Sequence, residues 1–222
     1  MLNLQSKFGQ KLMTIGNWVA SLVTINLVWF VINLPVLIML ILSFTLPLNQ
    51  TYAVTMTLVT IMLVAFTMPA TTAAYHAVHE WQTTDSGSFI KVTWHAYLQA
   101  LMHWQPNLLG AVFASGWLIL LRTTTGNVML HVATLVYGLV LLTVWNGWNY
   151  SQFEKQSLLA LMVAHPVKLV LSAVATVILF ALNFELHLIF FILLFSMSLA
   201  ALATYRLFTP RPLTKDATEQ QS

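Results

Sequence analysis

The sequence predicts an all-α membrane protein: a six-transmembrane-helix bundle with two amphipathic helices on its cytoplasmic side. Three observations predict it. The 222 residues are 59% hydrophobic and only 7% charged, with a mean hydropathy of +0.80, whereas a soluble domain carries roughly 25% charged residues. The apolar runs are long and continuous and do not alternate every second residue, which selects helices over a closed barrel as the way to satisfy backbone groups in lipid. The Lys and Arg residues gather on one set of loops and tails.

Residues 1–14 form a short basic lead. The first apolar run follows Lys7 and Lys11 as a signal peptide's would. It is far longer than a signal sequence's apolar region and more spans follow it, so it reads as an uncleaved first span. A single six-span domain is expected over 15–208. Span one covers 15–44, longer than the ~20 residues a crossing needs, with Pro35 as a reason for a bend. Pro47-Leu48-Asn49-Gln50 is a turn, and span two covers 51–81 with Pro69 in its final third.

A different pattern starts at Asp85-Ser86-Gly87-Ser88. Lys91, His95, Gln99 and His103 recur every four residues, flanked by Ile90, Trp94, Tyr97, Leu98, Leu101 and Trp104. This predicts an amphipathic helix over 88–104, N-capped by Ser88, lying in the interface or packed on the bundle. Spans three and four cover 106–121 and 128–150, with Pro106 in the first turn of span three and an aromatic belt, 145–150, closing span four. A second amphipathic element is expected at 151–164, with Gln152, Glu154 and Lys155 on one side and Phe153, Leu158 and Leu161 on the other. Spans five and six cover 166–183 and 188–207 around a tight turn marked by Glu185 and His187. The polar tail, 209–222, is expected to be a disordered cytoplasmic segment.

Six spans place both termini on one side. Lys7, Lys11, Lys91, Lys155, Lys168, Arg206, Arg211 and Lys215 then fall together, and only Arg122 falls opposite. By the positive-inside rule both termini are cytoplasmic. The basic pI of about 9.3 thus reflects topology and not nucleic-acid binding. With no cysteine, disulfides, thiolate catalysis and cysteine metal sites are excluded.

The stretch from Met68 to His76, with Pro69, Thr71, Thr72 and Tyr75, is the organising one. Pro69 frees the carbonyl of Ala65, for a substrate, a water or a neighbouring hydroxyl to satisfy. Thr71, Thr72 and Tyr75 either line a polar path or serve packing, where Ala70, Ala73 and Ala74 permit close helix approach. Asn26 and Asn33, seven apart, share one face of span one. His76, His79 and Glu80 share a helix face as metal ligands could, but the order is not that of a zincin and no third ligand is evident; no metal or cofactor is expected. Charged residues at mid-bilayer, the strongest pointer to a pump or charged-solute channel, are missing from the sequence. No nucleophile triad, phosphate loop or carboxylate pair is present, so an enzyme is not expected.

Several segments together resemble the YesL family of bacterial integral membrane proteins. They are Asn26-Leu27-Val28-Trp29 with Asn33-Leu34-Pro35-Val36, Pro69-Ala70-Thr71-Thr72-Ala73-x-Tyr75, Gln152-Phe153-Glu154 followed by Pro166-x-Lys168, and Leu199-Ala200-x-Leu202-x-x-Tyr205. In place of the glycine usual before the signature proline, this chain has Met68. The resemblance implies a multi-pass protein of Gram-positive bacteria associated with carbohydrate uptake of the ABC type, with permease or ATPase subunits as partners besides the lipid bilayer. Pro69, Thr71, Thr72, Tyr75, His76, Glu154 and Lys168 are the candidate functional or docking residues. The expected function is a non-catalytic accessory or regulatory component; the alternative is a small carrier or channel for a neutral solute such as a sugar.

Overall fold

One face of the first helix explains most of the bundle. Leu22, Ile25, Asn26, Trp29, Ile32, Asn33 and Val36 recur at intervals of three and four and are buried, while Leu27, Val31, Leu34 and Ile38 on the opposite face are exposed. That is the pattern of a helix with one side in a protein core and the other in lipid. The computed structural model describes residues 7–83, 89–154, 156–185 and 192–209. Within them the chain is all-helical: α1 (Lys7–Thr45), α2 (Gln50–Met62), a π-helical turn (Leu63–Thr67), α3 (Met68–Thr83), α4 (Phe89–Met102), α5 (Trp104–Thr123), α6 (Val128–Glu154), α7 (Leu158–Ala164), α8 (Pro166–Glu185), a second π-helical turn (Ile192–Ser196) and α9 (Met197–Phe208).

Among the described residues five helices are long and apolar enough to cross a membrane: Ile15–Thr45, Gln50–Thr83, Trp104–Thr123, Val128–Phe153 and Pro166–Asn183. The chain is a multi-pass membrane protein. The expected sixth span is represented by a shorter apolar helix, Leu194–Phe208, because its first residues lie outside the described ones. The Ser88 cap, His187 and the tail beyond Thr209 also lie outside them.

The two ends of the bundle are fixed by contacts. At one end Arg122 donates to the carbonyls of Ser43 and Leu46 and sits 4.8 Å from the Tyr52 ring centroid. This ties the α1–α2 turn to the last turn of α5. At the other end Trp18 meets Trp81, Tyr150 stacks on Phe208 and Arg206 donates to Gln82. Lysine carries one ammonium where arginine has a planar fork. Arg122→Lys is therefore expected to cost about 2 kcal/mol, read as lowered thermal stability in detergent; an unchanged midpoint would show that the turn holds without this clamp.

Counting about 20 residues from the Arg122 end brings α2–α3 to Ala70, α5 to Trp104 and α6 to Trp148. Beyond that level α1, α3 and α6 continue past the apolar thickness. Helix α4 covers that extension of α1 and α3. Its Phe89 ring meets Trp81 at 6.4 Å and its Tyr97 hydroxyl reaches Ala65, so α4 runs back antiparallel along α3. Of the two placements open to this segment, the structure has the packed one. Thr93, Ala96, Tyr97 and Ala100 turn inward, a face that period-four polarity does not reveal. Helix α5 follows after a break at His103, bridged by the Asn107 side-chain amide donating to the Ala100 carbonyl at 2.9 Å. The second amphipathic element is divided differently from the expected 151–164: residues up to Glu154 extend α6, and Ser157 caps a separate short α7 through Ala160 N–H at 3.2 Å.

Candidate functional site

The Pro69 stretch lies inside the bundle. The irregularity falls one turn before the proline, as the π-turn Leu63–Thr67, where the Met68 amide bonds Leu63 O. A wider turn leaves room for a ring that would clash with the carbonyl four residues back. Helix α3 then runs unbroken through Pro69. Of the three partners open to the Ala65 carbonyl, the structure supplies a hydroxyl: Tyr97 Oη donates to it at 3.0 Å. Burial pushes the Tyr97 phenol up from its ordinary value. Tyr97→Phe is expected to cost about 1–2 kcal/mol. In a Pro69→Ala background, where position 69 regains an amide, the same change is expected to cost less; equal costs in both backgrounds would separate Tyr97 from the proline.

The polar residues of this region bond one another. Trp29 Nε1 donates to Thr71 Oγ1 at 3.2 Å, and Thr72 donates to its own helix at Met68 O. Tyr75 Oη donates to Asn146 Oδ1 at 2.8 Å and lies 3.2 Å from Thr204 Oγ1. Asn146 Nδ2 in turn donates to Ser172 Oγ and Thr176 Oγ1, each at 3.3 Å. One side-chain layer therefore joins α3, α6, α8 and α9.

Two asparagines of α1 face the two π-turns. Asn33 Oδ1 accepts the Thr67 hydroxyl at 2.6 Å, and Asn26 Oδ1 accepts the amides of Met197 and Ser198 at 2.7 and 3.1 Å. Among the described residues the single buried side-chain polar atom without a partner is Asn149 Oδ1.

The remaining candidates separate from this layer. Pro69, Thr71 and Tyr75 are buried, and Thr72 is half-buried. His76 is half exposed and 3.7 Å from Glu80. His79 stacks on Phe153 at 4.7 Å and meets Tyr205 edge-on at 5.6 Å, so its ring serves packing. Among the described residues no three His, Asp or Glu gather as metal ligands. Lys168 lies over the Phe208 ring at 5.8 Å, where α8 begins. Glu154 ends α6, and its side chain lies outside the described residues. The structure thus brings Thr71 and Tyr75 into one polar region and leaves His76 and Lys168 at the α4 end.

Beside the layer lies a cavity of about 880 Å³ between α5, α6 and α8, with Thr67, Thr71 and Met197 among its lining residues. Its walls depend on two reciprocal contacts. A Cβ on Gly110 would lie 2.7 Å from Trp145 Cζ3, and one on Gly138 would lie 2.4 Å from Trp117 Nε1. Each helix of the α5–α6 pair therefore offers a glycine to a tryptophan of the other. Gly138 and Trp117 were not singled out by sequence. The available signal was a glycine inside a long apolar helix, which costs roughly 0.5–1 kcal/mol relative to alanine and so marks a close approach. The chain matches no protein-family profile, no curated protein and no solved structure.

Proposed function

We propose that this chain is a non-catalytic membrane component that assembles with a carbohydrate importer of the ABC type, in a bacterial plasma membrane with both termini cytoplasmic. The observation that carries the reading is the outer face of α4. Ile90, Trp94, Leu98 and Met102, four residues apart, are all exposed, with Met102 at 82%. Exposed Lys91, His95 and Gln99 run beside them. An apolar stripe with a polar margin suits a partner surface. The resemblance to the YesL family supplies the kind of partner. The buried polar layer supports the same reading, because Thr72, Tyr75 and Asn146 are engaged within the chain.

A sugar carrier is less well supported. A sugar presents many hydroxyls, and the cavity sets only a few polar side chains among hydrocarbon, so most of those hydroxyls would lose their water without replacement. Capture of the tagged chain from native membranes is expected to recover ABC permease or ATPase subunits, and Trp94→Glu is expected to lose them. Repeated recovery of the chain alone would overturn the reading, and sugar uptake by vesicles holding only this protein would replace it.

A further inference from the structure

We propose that the cavity between α5, α6 and α8 binds one uncharged amphiphile, a hydrocarbon-tailed molecule whose carbonyl lies at the Thr71–Trp148 end and whose tail runs along Phe113, Trp117 and Phe180. Among the described residues the lining holds no Asp, Glu, Lys, Arg or His, so neither a phosphate nor a carboxylate headgroup finds a counter-charge there. On α5 the lining runs from Gln105 to Trp117, about 18 Å at 1.5 Å per residue. The volume lies within the ~300–1,000 Å³ usual for ligand sites.

Depth gives the cavity a polar and an apolar end. Gln105, Thr71 and Trp148 lie within a residue of the level where about 20 residues have crossed from the Arg122 end. Phe113, Trp117 and Gly138 lie deeper, toward the Arg122 end. That is the arrangement of an interface-anchored headgroup with its chain in hydrocarbon.

Hydrogen-bond bookkeeping selects the headgroup. Thr67 gives its hydrogen to Asn33, Thr176 gives its own to Ser172 O, and both Asn146 amide hydrogens are used. Trp117 gives its N–H to Thr134 O at 3.0 Å. Thr71, 8% exposed, accepts from Trp29, but its own hydrogen has no acceptor among the described residues. The indole N–H groups of Trp145 and Trp148 have none either. The exposed Gln105 amide at the same end can donate and accept. Among the described residues the lining thus holds more unused donors than acceptors, and an acceptor such as a carbonyl complements them. An ester of a neutral glycerolipid and the ring carbonyl of a quinone share this chemistry. The inference rests on neither partner capture nor sugar uptake, so it stands or falls separately from them.

The test uses the full chain in phosphatidylcholine nanodiscs, with binding counted by native mass spectrometry. The probes are dioleoylglycerol, decylubiquinone and, as a charged control, phosphatidylglycerol. Saturable binding of one dioleoylglycerol or one decylubiquinone per chain is expected, and whichever binds identifies the source. Ala181→Phe, which fills the cavity from α8, is expected to abolish binding while leaving the thermal midpoint near wild type. Thr71→Val is expected to weaken it about tenfold, one hydrogen bond's worth, and Thr71→Ser to restore it. Because Thr71→Val also removes the acceptor for Trp29, rescue by serine carries the comparison. Saturable binding of neither neutral probe, equal binding by Ala181→Phe, or equal occupancy by phosphatidylglycerol would each overturn the proposal. So would a dimer that Ala181→Phe dissociates, since a second copy would then fill the cavity.

Discussion

Asn26→Leu is expected to destabilise the bundle by about 3 kcal/mol, at roughly 1–3 kcal/mol for each buried group left without its acceptor. Asn26 is fully buried on α1, and its Oδ1 accepts two backbone amides, Met197 at 2.7 Å and Ser198 at 3.1 Å. Both amides follow the π-turn Ile192–Ser196, where the helical hydrogen-bond register shifts. Lipid hydrocarbon supplies no acceptor to take the asparagine's place. Leucine keeps the branched skeleton of asparagine and is larger, so no void is left and the loss combines the polar contact with some overpacking. Leu27→Ala on the exposed side of the same helix serves as the control, with an expected change within about 0.5 kcal/mol. The measurement is an unfolding titration in bicelles. Equal effects of the two substitutions would mean that α9 is held by packing alone.

Gly138→Ala is expected to cost about 3 kcal/mol, from roughly 1–3 for overpacking and about 1 for a lost hydrogen bond. The added Cβ would lie 2.4 Å from Trp117 Nε1 and 2.5 Å from Cε2. The indole is a rigid plane pinned by its bond to Thr134 O, so it must move as a whole and break that bond. Gly116→Ala, in α5, meets nothing within 4 Å. That control is expected to be neutral or stabilising, by up to about 1 kcal/mol, through its gain in helix propensity. If the two alanine variants prove equally stable, the Trp117–Gly138 contact is not what closes the α5–α6 pair.

Much of the scaffold was legible in the sequence. The apolar runs located the crossing helices because a span must be long and continuous in lipid. The seven-residue spacing of Asn26 and Asn33 placed both on one face, and that face is the buried one. Pro69 announced a carbonyl in need of a donor. The donor, Tyr97, was visible only as part of the apolar flank of an amphipathic helix. Period-four polarity in α4 showed which side is wet, but not that Tyr97 on its inner side reaches back to Ala65.

The candidate site was legible as a list of residues and not as a place. Pro69, Thr71 and Tyr75 could be named from sequence, yet their burial, and the partners Trp29, Asn146 and Thr204, come from helices 42, 71 and 129 residues away. The reciprocal glycine–tryptophan pairs and the cavity beside them were not foreseeable for the same reason. By itself the sequence determined that lipid is the solvent, where the helices cross and which face of α1 is polar, since these depend on composition and local period. Only the tertiary structure decided which donor meets which acceptor, that α4 packs along α3, and that Thr71 keeps an unused hydroxyl hydrogen beside a cavity. Those features depend on the axial register between helices distant in sequence, and helical periodicity carries no information about that register.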